Sequence, residues 1–118
     1  MYNSHYQLVN DQIVDGIKIK VLNQDESVVM TEFEMLKGTF LPAHTHKSDH
    51  SAYLLKGKIR VITDKGSGDF FQGDSWCIKK DNPHSTQALE DSIVLEVYSL
   101  ELENIEDFQF ALEAELQK

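Results

Sequence analysis

Turn-forming residues recur along most of this chain, and the pieces between them alternate as strands do. Gly16, Asp25, Gly38, Gly57, Gly66, Gly68, Gly73 and Pro83 all sit in polar or glycine-containing clusters that read as turns. Between these clusters, Ile17, Ile19 and Val21 alternate with Lys18, Lys20 and Leu22, and Ile59, Val61 and Thr63 alternate with Arg60 and Ile62. Val28–Met35 is rich in β-branched and aromatic residues, and residues 93–98 form a further strand-like run. Successive side chains of a strand point to opposite faces, so an alternating piece can bury one face and wet the other. Several short strands joined by such turns predict an all-β sandwich or barrel.

The end of the chain departs from this pattern. Over residues 104–116, Ile105, Phe108, Leu112 and Leu116 repeat at helical spacing with glutamates between them, and Asn104 stands where an N-cap belongs. This predicts one C-terminal amphipathic helix, either covering an open end or edge of the barrel or contacting a second subunit. At 118 residues the chain reads as a single domain over 1–118, with its core over about 16–100.

The formal net charge of −9 argues against nucleic acid and against anionic membrane surfaces, both of which call for a basic patch. Arg60 is the sole arginine, so no arginine cluster can grip phosphates or several carboxylates. No apolar run approaches the roughly 20 residues that span a bilayer. Residues 1–6 lack the basic start and apolar stretch of a signal peptide. A single cysteine, Cys77, excludes an internal disulfide and suits a reducing cytoplasm. Nucleic acid and membrane are therefore not expected partners, and a cytoplasmic location is expected; a small-molecule ligand is the partner that the histidines below suggest.

His44, His46, His50 and His84 carry the chemistry. Neutral imidazole is the commonest protein ligand of first-row transition metals. His44 and His46, two apart, would point in different directions on a helix but share a face on a strand, and Pro42 favours the extended reading. His50 opens a strand in which His50, Ala52 and Leu54 share a face, and His84 opens another directly after Pro83. Four imidazoles on adjacent strands of a barrel would meet within reach of one ion. His5, close to the start of the chain, is set aside.

These residues resemble the two motifs of the cupin superfamily. In the first, a glycine precedes two histidines, a carboxylate position and a second glycine; here Gly38, His44, His46, His50 and Gly57 hold those places, with His50 in the carboxylate slot. In the second, a histidine follows a glycine; Gly73 and His84 match, while Lys79, Asp81 and Ala88 replace the usual proline, glycine and asparagine. The resemblance implies a double-stranded β-helix, or jelly-roll barrel, one divalent transition metal (Zn, Ni, Mn, Fe or Cu) and a homodimer. Residues 88–98 are also similar to the pectin-degradation cupins, which convert an unsaturated uronate to its linear keto form. In that likeness Glu96 and Tyr98 fill an acidic and an aromatic site position. Leu102 stands where those proteins have arginine, and His50 where they usually have glutamine.

An all-imidazole ligand set leaves a divalent ion its full formal charge and favours Lewis-acid chemistry. The expected function is a metal-dependent enzyme acting on a small carboxylate or sugar acid by isomerase or lyase chemistry. The alternatives are a dioxygenase, or a non-catalytic small-molecule-binding module with a structural metal. An octahedral ion would keep open positions for substrate; tetrahedral zinc would be closed by its four ligands. If its strand face turns inward, Glu96 is a candidate general base with Tyr98 as hydrogen-bonding partner; if outward, it is a solvated glutamate. Trp76 and Ile78 share a face, with Trp76 in the core or a subunit interface, and Cys77 is expected to be a small buried apolar residue. Asp49 is either an exposed turn residue or a support for a ligand imidazole. Phe33, Met35, Phe40 and Leu54 are expected in core or pocket wall.

Overall fold

The computed structural model describes residues 12–14, 16–44 and 49–99, and every regular element among them is a strand. In chain order these are β1 (Gln12–Val14), β2 (Ile17–Gln24), β3 (Val28–Met35), β4 (Phe40–His44) and β5 (His50–Lys56). They continue with β6 (Lys58–Thr63), β7 (Gly66–Phe71), β8 (Ser75–Ile78), β9 (His84–Ala88) and β10 (Ser92–Ser99). The predicted C-terminal helix over 104–116 and His5 lie outside the described residues.

The strands form two antiparallel sheets, one in the order β1-β2-β3-β10-β5-β8 and the other β4-β9-β6-β7. This is the two-sheet all-β architecture that alternation predicts, in the jelly-roll arrangement that the resemblance to cupins implies. Alternation decides which side chains go inside. On β2 they are Ile17, Ile19 and Val21; on β3 Val29, Thr31, Phe33 and Met35; on β5 His50, Ala52 and Leu54. Ile59 and Val61 of β6 and Ala88 of β9 meet them from the second sheet. Each fully buried aliphatic side chain contributes roughly 1.5–3 kcal/mol through the area it removes from water.

Connections are tight. Asp25 accepts the backbone N–H groups of Ser27 (2.8 Å) and Val28 (3.0 Å) through Oδ1, turning β2 into β3. Gly57 joins β5 to β6 at φ +100°, and a Cβ there would run into the carbonyl oxygen of Asp91 and lie 2.7 Å from the Cα of Ser92. Only glycine fits that position. Gly66 and Gly68, read from sequence as turn, instead belong to β7. The turn shrinks to Asp64 and Lys65, because Thr63 pairs with Gly66 and its hydroxyl accepts the Lys65 N–H at 3.1 Å.

Phe40 and Cys77 depart from expectation. Phe40 is 48% exposed, because on β4 it is Leu41 that turns into the core. Cys77 is exposed, because on edge strand β8 Trp76 and Ile78 take the inward side and leave Cys77 on the outer face beside Ser51.

Candidate functional site

β5 and β9 each begin with a histidine, and both rings go into the barrel: His50 is 3% exposed and His84 4%. Their ring centroids lie 5.6 Å apart. A register shift in β4 between Leu41 and His44 sets His44 opposite His84 in the β4–β9 ladder. The side chain of His44 and all of His46 lie outside the described residues. Among the described residues, no group of three or more His, Cys, Asp or Glu side chains is placed to hold a metal ion.

Glu96 is the inward acid. β10 lies between β3 and β5, with Glu96 paired to Thr31 and Ala52, and Tyr98 to Val29 and His50. Val94, Glu96 and Tyr98 share the inner face of the strand; Glu96 is 16% exposed and Tyr98 fully buried. The Tyr98 hydroxyl donates to Oε1 of Glu96, and Oε2 of Glu96 lies 3.7 Å from Nε2 of His50. The Tyr98 ring packs 4.8 Å from the His50 ring, centroid to centroid.

Burial governs the charges. It pushes the His50 imidazole down to about 4, against a weaker pull from the Asp49 carboxylate, so His50 is neutral near pH 7. It lowers His84 as well, opposed by the Asn82 carbonyl bond. It raises the Glu96 carboxyl, opposed by the Tyr98 hydroxyl. Nδ1 of His84 lies 3.1 Å from the carbonyl oxygen of Asn82. A carbonyl only accepts, so Nδ1 carries the proton and Nε2 keeps its lone pair. Two neutral imidazoles on different strands, one with its tautomer fixed, fit the donor set of a transition metal.

A cavity of about 20 Å³, room for one water, adjoins His84 and Glu96. Its walls are mostly apolar, including Phe33, Met35, Leu41, Ile59 and Trp76. Trp76 is steadied by stacking on Phe70 at 4.3 Å. Thr86 also lines the cavity and was missed from sequence; its place two residues after His84 on one strand was the available signal. Asp49 is an exposed turn residue, held by the backbone N–H of Lys80 at 2.9 Å. Leu54 lies in the core, away from the cavity wall.

The sequence profile of the family described as Cupin domain matches residues 31–101, which spans β3 through β10. The chain belongs to the cupin family. This cupin is 28% identical over 94 residues to the oxalate decarboxylase OxdC of Bacillus subtilis, covering 75% of this chain and 24% of that protein. It thus spans about a quarter of the decarboxylase. It is 27% identical over 86 residues to the pectin degradation protein KdgF of Dickeya dadantii, covering 72% of this chain and 78% of that one. Among solved structures it resembles KdgF from Halomonas sp., with TM-score 0.71 and 22% identity over 80% of this chain and 94% of the other. It also resembles an RmlC-like cupin from Shewanella frigidimarina, with TM-score 0.75 and 20% identity over 91% and 97%. At these identities the structures show the shared fold.

Proposed function

We propose that this cupin is a metal-dependent enzyme acting on a small carboxylate or sugar acid by isomerase or lyase chemistry. One divalent transition metal would be held by His44, His46, His50 and His84. The observation that carries the reading is Glu96: a carboxyl turned into a mostly apolar interior, tethered through one oxygen by Tyr98, with the other facing His50. When bound, the metal supplies Lewis acidity to a substrate oxygen. The chain supplies the proton chemistry. Tyr98 holds Oε1, which in this reading leaves Oε2 to act as the base toward substrate. Burial raises the affinity of Glu96 for a proton, the direction that strengthens a carboxylate as a general base. The relation to a pectin degradation protein supports the sugar-acid class.

The test is metal analysis of protein purified without an affinity tag, followed by assays on uronates and small carboxylic acids with Glu96→Gln. Retained metal with lost turnover supports the reading; unchanged turnover removes Glu96 as the base. Iron together with oxygen consumption would move the function to a dioxygenase. The small cavity favours one second reading, a structural ion closed by four imidazoles. A metal with no exchangeable ligand would establish it.

We further read the protein as a cytoplasmic homodimer. The lone thiol suits a reducing compartment, and no helix among the described residues is long and apolar enough to cross a membrane. Tyr53 and Leu55 project from the outer face of the six-stranded sheet at 43% and 44% exposure, a face that a second copy can cover.

A further inference from the structure

Asp49 stands outside the barrel, yet three tethers converge on it. Its side chain is 54% exposed. Through Oδ1 it accepts the backbone N–H of Lys80 at 2.9 Å, and Oδ2 lies 3.5 Å from Nζ of Lys79. Its own carbonyl accepts the N–H of Ser99 at 3.4 Å, just past Tyr98. By chain connection it immediately precedes His50.

The turn it grips leads to His84. The Asn82 N–H donates to the Lys79 carbonyl at 3.2 Å, and between them Asp81 sits at φ +63°. Asp81 is the one described non-glycine residue with positive φ, a left-handed conformation that side-chain-bearing residues disfavour and that its surroundings hold in place. The Asn82 carbonyl then receives Nδ1–H of His84. An exposed ion pair such as Asp49 with Lys79 contributes little. The carboxylate bond to the Lys80 backbone is charge-assisted and is the stronger tether. It is also the main reason the Asp49 carboxyl is held below its ordinary value.

We propose that Asp49 is a positioning residue that fixes the turn over residues 79–82 against the start of β5, and thereby sets the tautomer and aim of His84 relative to His50. Its importance for metal binding rests on the metal-centre reading; its effect on His84 does not. Without this tether the Asn82 carbonyl drifts from the ring, and His84 can place its proton on either nitrogen.

The test uses the full chain, metal-free and labelled with ¹⁵N-histidine, in which long-range ¹H–¹⁵N correlations report each imidazole tautomer. The wild type shows His84 protonated at Nδ1. Asp49→Ala shows a mixture, while the amide spectrum of the β-sheets persists. Asp49→Asn keeps an Oδ1 acceptor for Lys80 and restores the wild-type tautomer. If Asp49→Ala folds poorly, the comparison is repeated in an Asp81→Gly background, which relieves the left-handed residue. In a parallel titration with Zn²⁺, Asp49→Ala binds about tenfold more weakly and Asp49→Asn recovers most of the loss. A purely structural role would lower the melting temperature and leave the tautomer alone. An unchanged Nδ1–H signal in folded Asp49→Ala overturns the proposal. Absence of Zn²⁺ binding by the wild type would overturn the metal centre, and the tautomer experiment would still decide the role of Asp49.

Discussion

The Tyr98 hydroxyl donates to Oε1 of Glu96, its neighbour on the inner face of β10, while Oε2 of the same carboxylate faces Nε2 of His50 at 3.7 Å. The bond to Tyr98 favours the charged carboxylate, against the effect of burial. Tyr98→Phe should therefore raise the Glu96 pKa and move the acidic limb of the pH–rate profile to higher pH. The ring is kept, so metal content should be unchanged. Profiles of kcat/KM for the two proteins check this.

Stability of the metal-free protein should fall on acidification. His50 has an ordinary value of 6.5 and a folded value of about 4, and His84 is displaced the same way. Below about pH 6.5 the unfolded chain takes up protons that the folded imidazoles refuse. Their contribution is therefore full above that pH and is lost as pH falls to about 4. For His50 this amounts to about 3 kcal/mol. Glu96 runs the other way: its raised value favours folding in acid, and that contribution fades as pH rises above 4.5. Urea midpoints in the presence of a chelator should drop between about pH 7 and pH 4, and less steeply in His50→Gln.

Metal should stabilise the fold, because the proposed ligands come from separate strands. At about a hundredfold excess over Kd, binding to the native state alone adds about 2.7 kcal/mol. Thermal unfolding with and without added Zn²⁺ should show this gain in the wild type and in Cys77→Ser. It should be absent in His50→Ala and His84→Ala.

Two glycines should respond differently to alanine. Gly57 and Gly38 both have positive φ, at +100° and +90°. At Gly57 the added methyl meets the backbone of Asp91 and Ser92, whereas nothing lies within 4 Å at Gly38. Gly38→Ala should cost about 1 kcal/mol in backbone strain, and Gly57→Ala at least about 3, by chemical denaturation.

If the outer sheet face pairs with a second copy, Leu55→Glu should give a monomer by light scattering at micromolar concentration. The wild type should be a dimer, and both should share one far-ultraviolet circular dichroism spectrum. A charge placed on a buried apolar contact is costly, whereas on a solvated strand it is nearly neutral.

Alternation made the strands legible. His50, Ala52 and Leu54 are inward as their spacing predicts, as are Ile17, Ile19 and Val21. The jelly roll was legible through the resemblance of the two histidine motifs to those of cupins. Alternation fixes which residues share a face, however, and leaves open which face turns inward. For Glu96 that choice depends on β10 lying between β3 and β5, a long-range pairing with no local signal. Cys77 went astray because a small apolar residue was expected inside, although its neighbours Trp76 and Ile78 already claimed that side. The hold of Asn82 on His84 runs through a backbone carbonyl, which every residue possesses, so no residue type could announce it.

Strand β10 supplies both Glu96 and Tyr98 and fills the gap between two strands made much earlier in the chain. A chain that ends before β10 therefore has no native partner for the facing edges of β3 and β5. In the native sheet only Ser92–Ser99 satisfies both of those edges, and the same strand carries the inward acid to the histidines. Nascent chains arrested before this strand should expose sticky sheet margins, recruit chaperones and lack the site altogether.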